Sequence, residues 1–153
     1  MRYQIDQSGR IEQTNKTTII AFSNGAEGTI KLSSKDKRVL QSIFRKADRL
    51  KVFVLQVFAA TLYLLLEKFK IEKTLILVDQ EYQGHDNLIR SYLIQLVQKR
   101  GKISLEADHI RFGLVGKTSK VHSVGYKAFK KNRADFSINY EDILALVLLY
   151  EKP

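Results

Sequence analysis

The chain contains no cysteine, and its only proline is the last residue, Pro153. Without cysteine there is neither a disulfide nor a thiolate metal site, so any metal must be bound by oxygen or histidine, and a reducing compartment suits the chain. No internal proline, repeat or low-complexity tract marks a linker, and 153 residues is an ordinary length for one domain. We therefore expect a single domain over residues 1–153.

Long apolar runs are also scarce. The longest extends from Val52 to Leu66, contains the polar residues Gln56 and Thr61, and is flanked by lysine and arginine. It is shorter than the roughly 18 apolar residues of a membrane span, and the N-terminal segment turns polar too early for a signal peptide. We expect a cytoplasmic protein with no membrane segment. Residues Val54–Phe69 are expected to form a buried helix, although their β-branched start is also compatible with a strand.

Several catalytic motifs are missing. The glycines of Gly113–Thr118 lack the spacing of a phosphate-binding P-loop, and there is no Gly-x-Ser-x-Gly nucleophile motif. The three histidines are too scattered along the chain for a zinc motif.

The chain is rich in positive charge. It has 26 lysine and arginine residues against 16 aspartate and glutamate residues, a formal net charge of +10. A surface of this sign attracts polyanions, and nucleic acid is the expected partner, ahead of an anionic membrane or an acidic protein. The segment Gly116–Asn132, predicted as a loop, mixes cations with aromatic residues. Its candidate nucleic-acid-binding residues, which would contact phosphates or stack on a base, are Lys117, Lys120, Tyr126, Lys127, Lys130 and Lys131. A solvated loop without function is the alternative.

Hydrophobic periodicity predicts an α/β chain. Asn24-Gly25 indicates a β-hairpin, and apolar spacing indicates helices after Ser34 and after Asn87. The predicted order is three antiparallel strands, two helices, a strand, a helix, a strand and a last helix. The predicted segments are Tyr3–Ile5, Thr17–Phe22, Thr29–Leu32, Val39–Leu50, Val54–Phe69, Thr74–Val78, Asn87–Arg100, His109–Val115 and Tyr140–Tyr150.

This order resembles the ribonuclease-H-like superfamily over nearly the whole chain. The matching residues are Asp6 in the first strand, Asp79 at the end of the fourth, and Asp142 in Tyr140-Glu-Asp-Ile-Leu-Ala145. The resemblance implies a mixed five-stranded sheet, three strands antiparallel and then two parallel, flanked by helices. In that family the first and fourth strands are neighbours and the last helix crosses them. The family's carboxylates bind two divalent ions, and hard oxygen ligands suit Mg2+ or Mn2+.

Two branches of the superfamily supply further expectations. Gln56 stands where ribonuclease H has a glutamate, and Asn139 stands where junction resolvases have the first aspartate of a pair. His122 precedes the last predicted helix, where several such nucleases keep a histidine or lysine that assists proton transfer. The resemblance thus implies Asp6, Asp79, Asp142 and His122 as catalytic residues, and Asp6, Asp79, Asp142, Gln56 and Asn139 as metal ligands.

Each of these residues also has an ordinary structural interpretation. Asn139 and Asp142 have the spacing of a helix N-terminus, where an acid is favoured by the helix dipole. Asp6 and Asp79 could be turn residues, His122 an exposed loop residue, and Asp135 competes with Asp142 for the third position.

The sequence therefore predicts a divalent-metal-dependent nuclease that acts on structured nucleic acid, either branched DNA or an RNA-DNA hybrid. Because Gln56 and Asn139 bring no charge, the alternative is a weakened or inactive nucleic-acid-binding module on the same fold. Neither the choice between DNA and RNA nor the formation of a homodimer is decided by the sequence.

Overall fold

A mixed β-sheet forms the centre of the fold. The structure, a computed structural model, describes residues 2–116 and 119–150. Its strands are β1 (Tyr3–Ser8), β2 (Thr18–Ser23), β3 (Glu27–Leu32), β4 (Ile76–Asp79), β5 (Ile110–Gly113) and β6 (Phe136–Ile138). They lie in the order β5-β4-β1-β2-β3-β6. β2 is antiparallel to both of its neighbours, whereas β4 beside β1, β5 beside β4 and β6 beside β3 are parallel pairs.

The predicted neighbourhood of the first and fourth strands is confirmed. Tyr3 pairs with Ile76 and Ile5 with Val78 in parallel register, and β2 and β3 form the antiparallel hairpin around Gly25. The prediction of five strands is wrong by one, because Phe136–Ile138 adds β6 at the edge beside β3. Only three residues long, this strand is too short to show an alternating pattern in the sequence.

Five α-helices accompany the sheet: α1 (Ser34–Lys46), α2 (Phe53–Lys68), α3 (Asp86–Arg100), α4 (Lys120–Lys131) and α5 (Tyr140–Val147). The prediction of a loop over Gly116–Asn132 is wrong, since most of that segment is α4. The Ser119 side chain caps the helix by accepting a hydrogen bond from the backbone N–H of His122, and Asn132 ends it in the left-handed conformation. The segment was predicted as a loop because it is rich in lysine, yet its helix forms around Gly125, a poor helix former that is buried here.

Helix α2 is apolar on every side because protein surrounds it. It packs against α1, α3 and α5 and also against β2 and β3. The continuous helical stretch Leu50–Lys68 is long and apolar enough to cross a membrane by length and composition. The apolar run Val52–Leu66 identified in the sequence is therefore shorter than the helical stretch that contains it. Most of this helical stretch is buried inside the protein, as is typical of the core helix of a globular domain.

Of the helices in the described residues, α4 alone lies on the opposite face of the sheet, against β1, β2 and β3. The pleat of β2 separates the two faces: Ala21 points to α4, and its neighbour Phe22 contacts Phe69 at the end of α2. A Cβ atom on Gly125 would lie 3.4 Å from both Ala21 Cβ and Ser8 Oγ. Gly125 therefore lies against β1, which carries Asp6, and against β2.

The connection between β1 and β2 is held by a buried lysine. Lys37 of α1 is inaccessible to solvent, and its Nζ donates hydrogen bonds to Arg10 O at 3.0 Å, Gln13 O at 2.8 Å and Thr18 Oγ1 at 3.0 Å. These three acceptors use all three ammonium protons. Burial lowers the pKa of Lys37 to about 8.

We expect Lys37→Met to lower the free energy of unfolding by about 2–3 kcal/mol, because it leaves two carbonyls and a hydroxyl without their donor. Lys35→Met on the exposed side of the same helix is the control and should change it by less than about 0.5 kcal/mol. Urea unfolding of the two variants measures the difference. Equal stabilities would show that Lys37 does not hold the connection.

Candidate metal centre

Asp6 is a buried acid in the middle of the sheet. The alternation of β1 directs Asp6 to the face that α4 covers, and only 4 % of its surface is exposed. Its Oδ2 lies 2.8 Å from Nδ1 of His122, which stands in the first turn of α4 and is partly exposed. Nδ1 donates this hydrogen bond when Asp6 is ionised. The hydrogen bond joins the helix to the central strand.

Two further acids come from the end of β4. Because Ile5 pairs with Val78, the next residues, Asp6 and Asp79, lie at the same level of neighbouring strands. Asp79 Oδ1 accepts a hydrogen bond of 2.9 Å from the backbone N–H of Val115. Glu81 follows two residues later, and its Oε2 lies 3.3 Å from Nε of Arg10.

Asp6, Asp79 and Glu81, called here the acidic cluster, each offer a carboxylate oxygen, and the three oxygens lie within 4.8 Å of one another. Two oxygens on opposite sides of one Mg2+ ion are about 4.2 Å apart, so the span of the cluster is close to that of a single coordination sphere. The cluster opens into a cleft of about 290 Å³. The cleft is also lined by Gln7, Leu114, Gly116 and His122.

Gln7 adds an unused acceptor at the cleft. Its side chain is 7 % exposed, and its Nε2 donates to Tyr82 Oη at 3.2 Å. Its Oε1 is buried with no hydrogen-bond partner in the described part of the chain. A buried acceptor of this kind usually has a partner, which water or an ion can provide.

Burial and the charges of neighbouring acids both disfavour the ionised carboxylates of the acidic cluster. Burial raises the pKa of Asp6; the hydrogen bond from His122 opposes this, and the charge of Asp79 adds to it. Burial also raises the pKa of Glu81, to about 7, and a shared hydrogen bond with Asp79 and the charges of Asp79 and Asp6 act in the same direction, against Arg10. The cluster therefore favours either a bound proton or a bound cation.

No protein-family model, curated protein or solved structure matches the chain. Since one fold serves many functions, the function must be argued from this site. Clustered carboxylates beside a histidine can bind a divalent cation and accept a proton from water.

Two predicted ligands lie elsewhere. Asn139 and Asp142 form a reciprocal capping box at the start of α5: Asn139 Oδ1 accepts from the Asp142 N–H at 2.9 Å, and Asp142 Oδ2 accepts from the Asn139 N–H at 3.0 Å. This helix follows β6, which is three strand spacings from β1, or roughly 14 Å. The structure does not bring Asn139 and Asp142 to the acidic cluster. Their hydrogen bonds are those of a helix N-terminus, which was the alternative interpretation of their spacing.

Gln56 and Asp135 are also used structurally. Gln56 is buried in α2, on the opposite face of the sheet from His122, and its Oε1 lies 3.5 Å from Arg49 Nη2. Asp135 Oδ2 accepts hydrogen bonds from the backbone N–H and the hydroxyl of Thr29, at 2.9 and 3.2 Å. Neither residue belongs to the acidic cluster.

Glu81 is the member of the cluster that sequence reasoning missed. Its signal is the Asp79-x-Glu81 spacing directly after a buried strand. Chain order and the family pattern directed attention to the last helix instead. The helix that covers β1 is α4, and it contributes His122 rather than a carboxylate.

The predicted nucleic-acid-binding residues line α4. Lys120, Tyr126, Lys127, Lys130 and Lys131 are all exposed on this helix, and Lys117 lies outside the described residues. None of these four lysines forms an ion pair within residues 2–116 and 119–150. The outer side of α4 is therefore a strip of uncompensated positive charge, next to the cleft.

The raised pKa of Glu81 predicts that the metal-free protein becomes less stable as pH rises. Between pH 4.5, the ordinary glutamate value, and about 7, the folded state keeps a proton that the unfolded state releases. The stabilisation is complete below pH 4.5 and lost as the pH passes 7, so the melting temperature in EDTA should be a few degrees higher at pH 5 than at pH 7.5. Glu81→Gln should reduce this difference, whereas the exposed control Glu27→Gln should not. If the pH dependence of the melting temperature is the same in Glu81→Gln as in the wild type, the raised pKa of Glu81 is contradicted.

Proposed function

We propose that this protein is a divalent-metal-dependent nuclease whose metal ligands are Asp6, Asp79 and Glu81. The observation that carries the proposal is the convergence of three carboxylate oxygens within 4.8 Å, in an open cleft beside a strip of lysines. The adjacent parallel strands that carry Asp6 and Asp79 also support the ribonuclease-H-like resemblance, which is part of this proposal. Branched DNA and RNA-DNA hybrids are the proposed substrates.

The carboxylates fit Mg2+ or Mn2+ because these ions prefer hard oxygen ligands. A divalent ion held there supplies positive charge for the attacking and leaving oxygens of a phosphodiester. Gln7 also lines the cleft, and its buried Oε1 is a neutral oxygen acceptor without a partner in the described residues. Asp79 keeps its orientation through the Val115 N–H, so the cluster is preorganised by the backbone.

His122 is proposed to accept a proton. With Nδ1 donating to the Asp6 carboxylate, the neutral ring has Nε2 as its unprotonated nitrogen. A carboxylate that fixes the tautomer of a histidine is a frequent arrangement in general base catalysis. Nε2 would then accept the proton of an attacking water at the mouth of the cleft.

A binding module without catalysis is the second candidate, and one contact favours it. Arg10 lies 3.3 Å from Glu81, and the pKa of Glu81 is raised to about 7. An arginine and a proton together could neutralise part of the cluster without any metal. The lysines of α4 would then hold nucleic acid by charge alone.

The metal proposal predicts that Mg2+ or Mn2+ stabilises the protein. At ten times Kd, the melting temperature should rise by about 3 °C, because bound cation relieves the repulsion among the carboxylates. Asp79→Asn should remove most of this rise. It should also lower Mn2+-dependent cleavage of a labelled four-way DNA junction by at least about 100-fold.

Asp142→Asn is the matched control, since it makes the same change in an acid that caps α5. It should keep both the metal-dependent rise and the cleavage of the wild type. If neither ion shifts the melting curve of the wild type and no cleavage is found, the nuclease proposal fails and the binding module remains.

Nucleic-acid affinity should fall steeply with salt, because each neutralised phosphate releases condensed counterions. Replacing Lys127, Lys130 and Lys131 together by alanine should reduce the slope of log K against log salt by about two to three units. The triple alanine variant of Arg38 and Arg45 on α1 and Arg49 just after it is the control. A reduced slope in the control alone would place the interface at α1 and the residues that follow it.

A further inference from the structure

One aromatic side chain on α4 has no role in the core. Tyr126 is 48 % exposed, the largest exposed fraction of any aromatic side chain in the described residues. It lies one helical turn beyond His122, and the two rings are parallel within 16°, with their centroids 6.2 Å apart. Lys130, one further turn along, places its Nζ 5.7 Å from the centroid of the Tyr126 ring.

These residues form one row that begins at the acidic cluster. Asp6 binds His122, His122 stacks on Tyr126, and Lys130 lies over Tyr126. Positions four residues apart on a helix are about 6 Å apart along its axis. The row therefore presents, at regular intervals, the imidazole of His122 beside Asp6, the aromatic ring of Tyr126 and the ammonium group of Lys130. A nucleic-acid strand presents the complementary groups: a phosphodiester, a base and the next phosphate.

The cleft also has one apolar lining residue. Leu114 lines the cleft together with the acidic cluster and is 84 % exposed. An isolated exposed leucine is ordinary, but this one lies at a charged site. It offers apolar surface to a group that enters the cleft.

We propose that Tyr126 stacks on an unpaired nucleobase next to the phosphodiester held at the acidic cluster, so that the substrate is single-stranded or branched nucleic acid. In a continuous duplex both faces of every base are covered by neighbouring bases, and the Tyr126 ring has nothing to stack on. Stacking on an exposed aromatic ring needs a splayed base and tolerates any sequence. The proposal therefore favours branched DNA over a fully paired RNA-DNA hybrid. It rests on the proposed function for the position of the phosphodiester.

The chain has no tryptophan, so Tyr126→Trp places a unique fluorophore at the stacking position. We would titrate this variant in EDTA and low salt with three DNA ligands about 12 nucleotides long: a single strand, its duplex, and the single strand with abasic sites. The single strand should quench the tryptophan at least about twofold more than the duplex, and the abasic strand should bind with little quenching. A parallel titration with single-stranded RNA of the same sequence shows whether Tyr126 prefers an unpaired base of DNA or of RNA.

Leu148→Trp, at the residue that follows α5, is the matched control, because Leu148 is 83 % exposed and does not line the cleft. It should show no preference among the ligands. Equal quenching of Tyr126→Trp by all three ligands, or no binding of any, overturns the proposal. Because EDTA removes metal, this result is independent of hydrolysis: stacking without Mn2+-dependent cleavage would remove the proposed function and keep a single-strand-binding surface.

Unlabelled variants give a second measurement that does not depend on the tryptophan. Tyr126→Phe keeps the ring and should bind a labelled single strand as the wild type does in fluorescence anisotropy. Tyr126→Ala should bind it about tenfold more weakly with unchanged duplex affinity. A loss of the same size for both ligands would mean that Tyr126 supports the helix rather than a base, and it would overturn the proposal.

Discussion

The buried hydrogen bond between Asp6 and His122 is the contact on which the rest of the site depends. It joins the only helix that the described residues place on this face of the sheet to the central strand, and it does so with a charged group that is almost fully buried. Gly125 faces the strands at close range, because a Cβ atom there would already be in van der Waals contact with Ala21 and Ser8, 3.4 Å from each. Moving α4 outward would separate His122 from Asp6 and carry the lysine strip away from the cleft.

The acidic cluster is costly for the fold, and the surrounding structure limits that cost. Carboxylates held close together destabilise a protein unless a proton, a cation or hydrogen-bond donors compensate their charge. Here the donors are His122 to Asp6 and the Val115 N–H to Asp79, while Arg10 lies beside Glu81. Lys37 binds the backbone oxygen of Arg10, so a buried lysine on α1 fixes the segment that carries this arginine. The acidic cluster is thus linked to the β1–β2 connection through Arg10, which contacts both Glu81 and Lys37.

The cleft and the neighbouring helix α4 carry charges of opposite sign. The cleft itself is acidic and suits a cation, whereas the neighbouring helix carries lysines without ion pairs in the part of the chain that the structure describes. A polyanion attracted to α4 would be repelled by a bare acidic cluster, and a bound divalent cation would remove that repulsion. The lysines of α4 can therefore attract nucleic acid without metal, whereas a bound cation would favour the entry of a phosphodiester into the cleft itself.

The sequence by itself determined the parts of the fold that are written locally. The hairpin at Asn24-Gly25, the buried helix from Phe53 and the strand that ends at Asp79 follow from turn chemistry and apolar spacing. The pairing of β1 with β4 was expected only from the resemblance to a known family, and the structure has it. Tertiary structure alone decided which acids meet. Glu81 joins Asp6 because parallel register brings the end of β4 beside β1, whereas Asp142, equally plausible in sequence, follows an edge strand on the far side of the sheet. The same holds for α4, which was predicted as a loop and which packs its Gly125 against Ala21 and Ser8 of the sheet. Register and helix packing depend on contacts between residues far apart in the chain, and a local pattern carries no record of them.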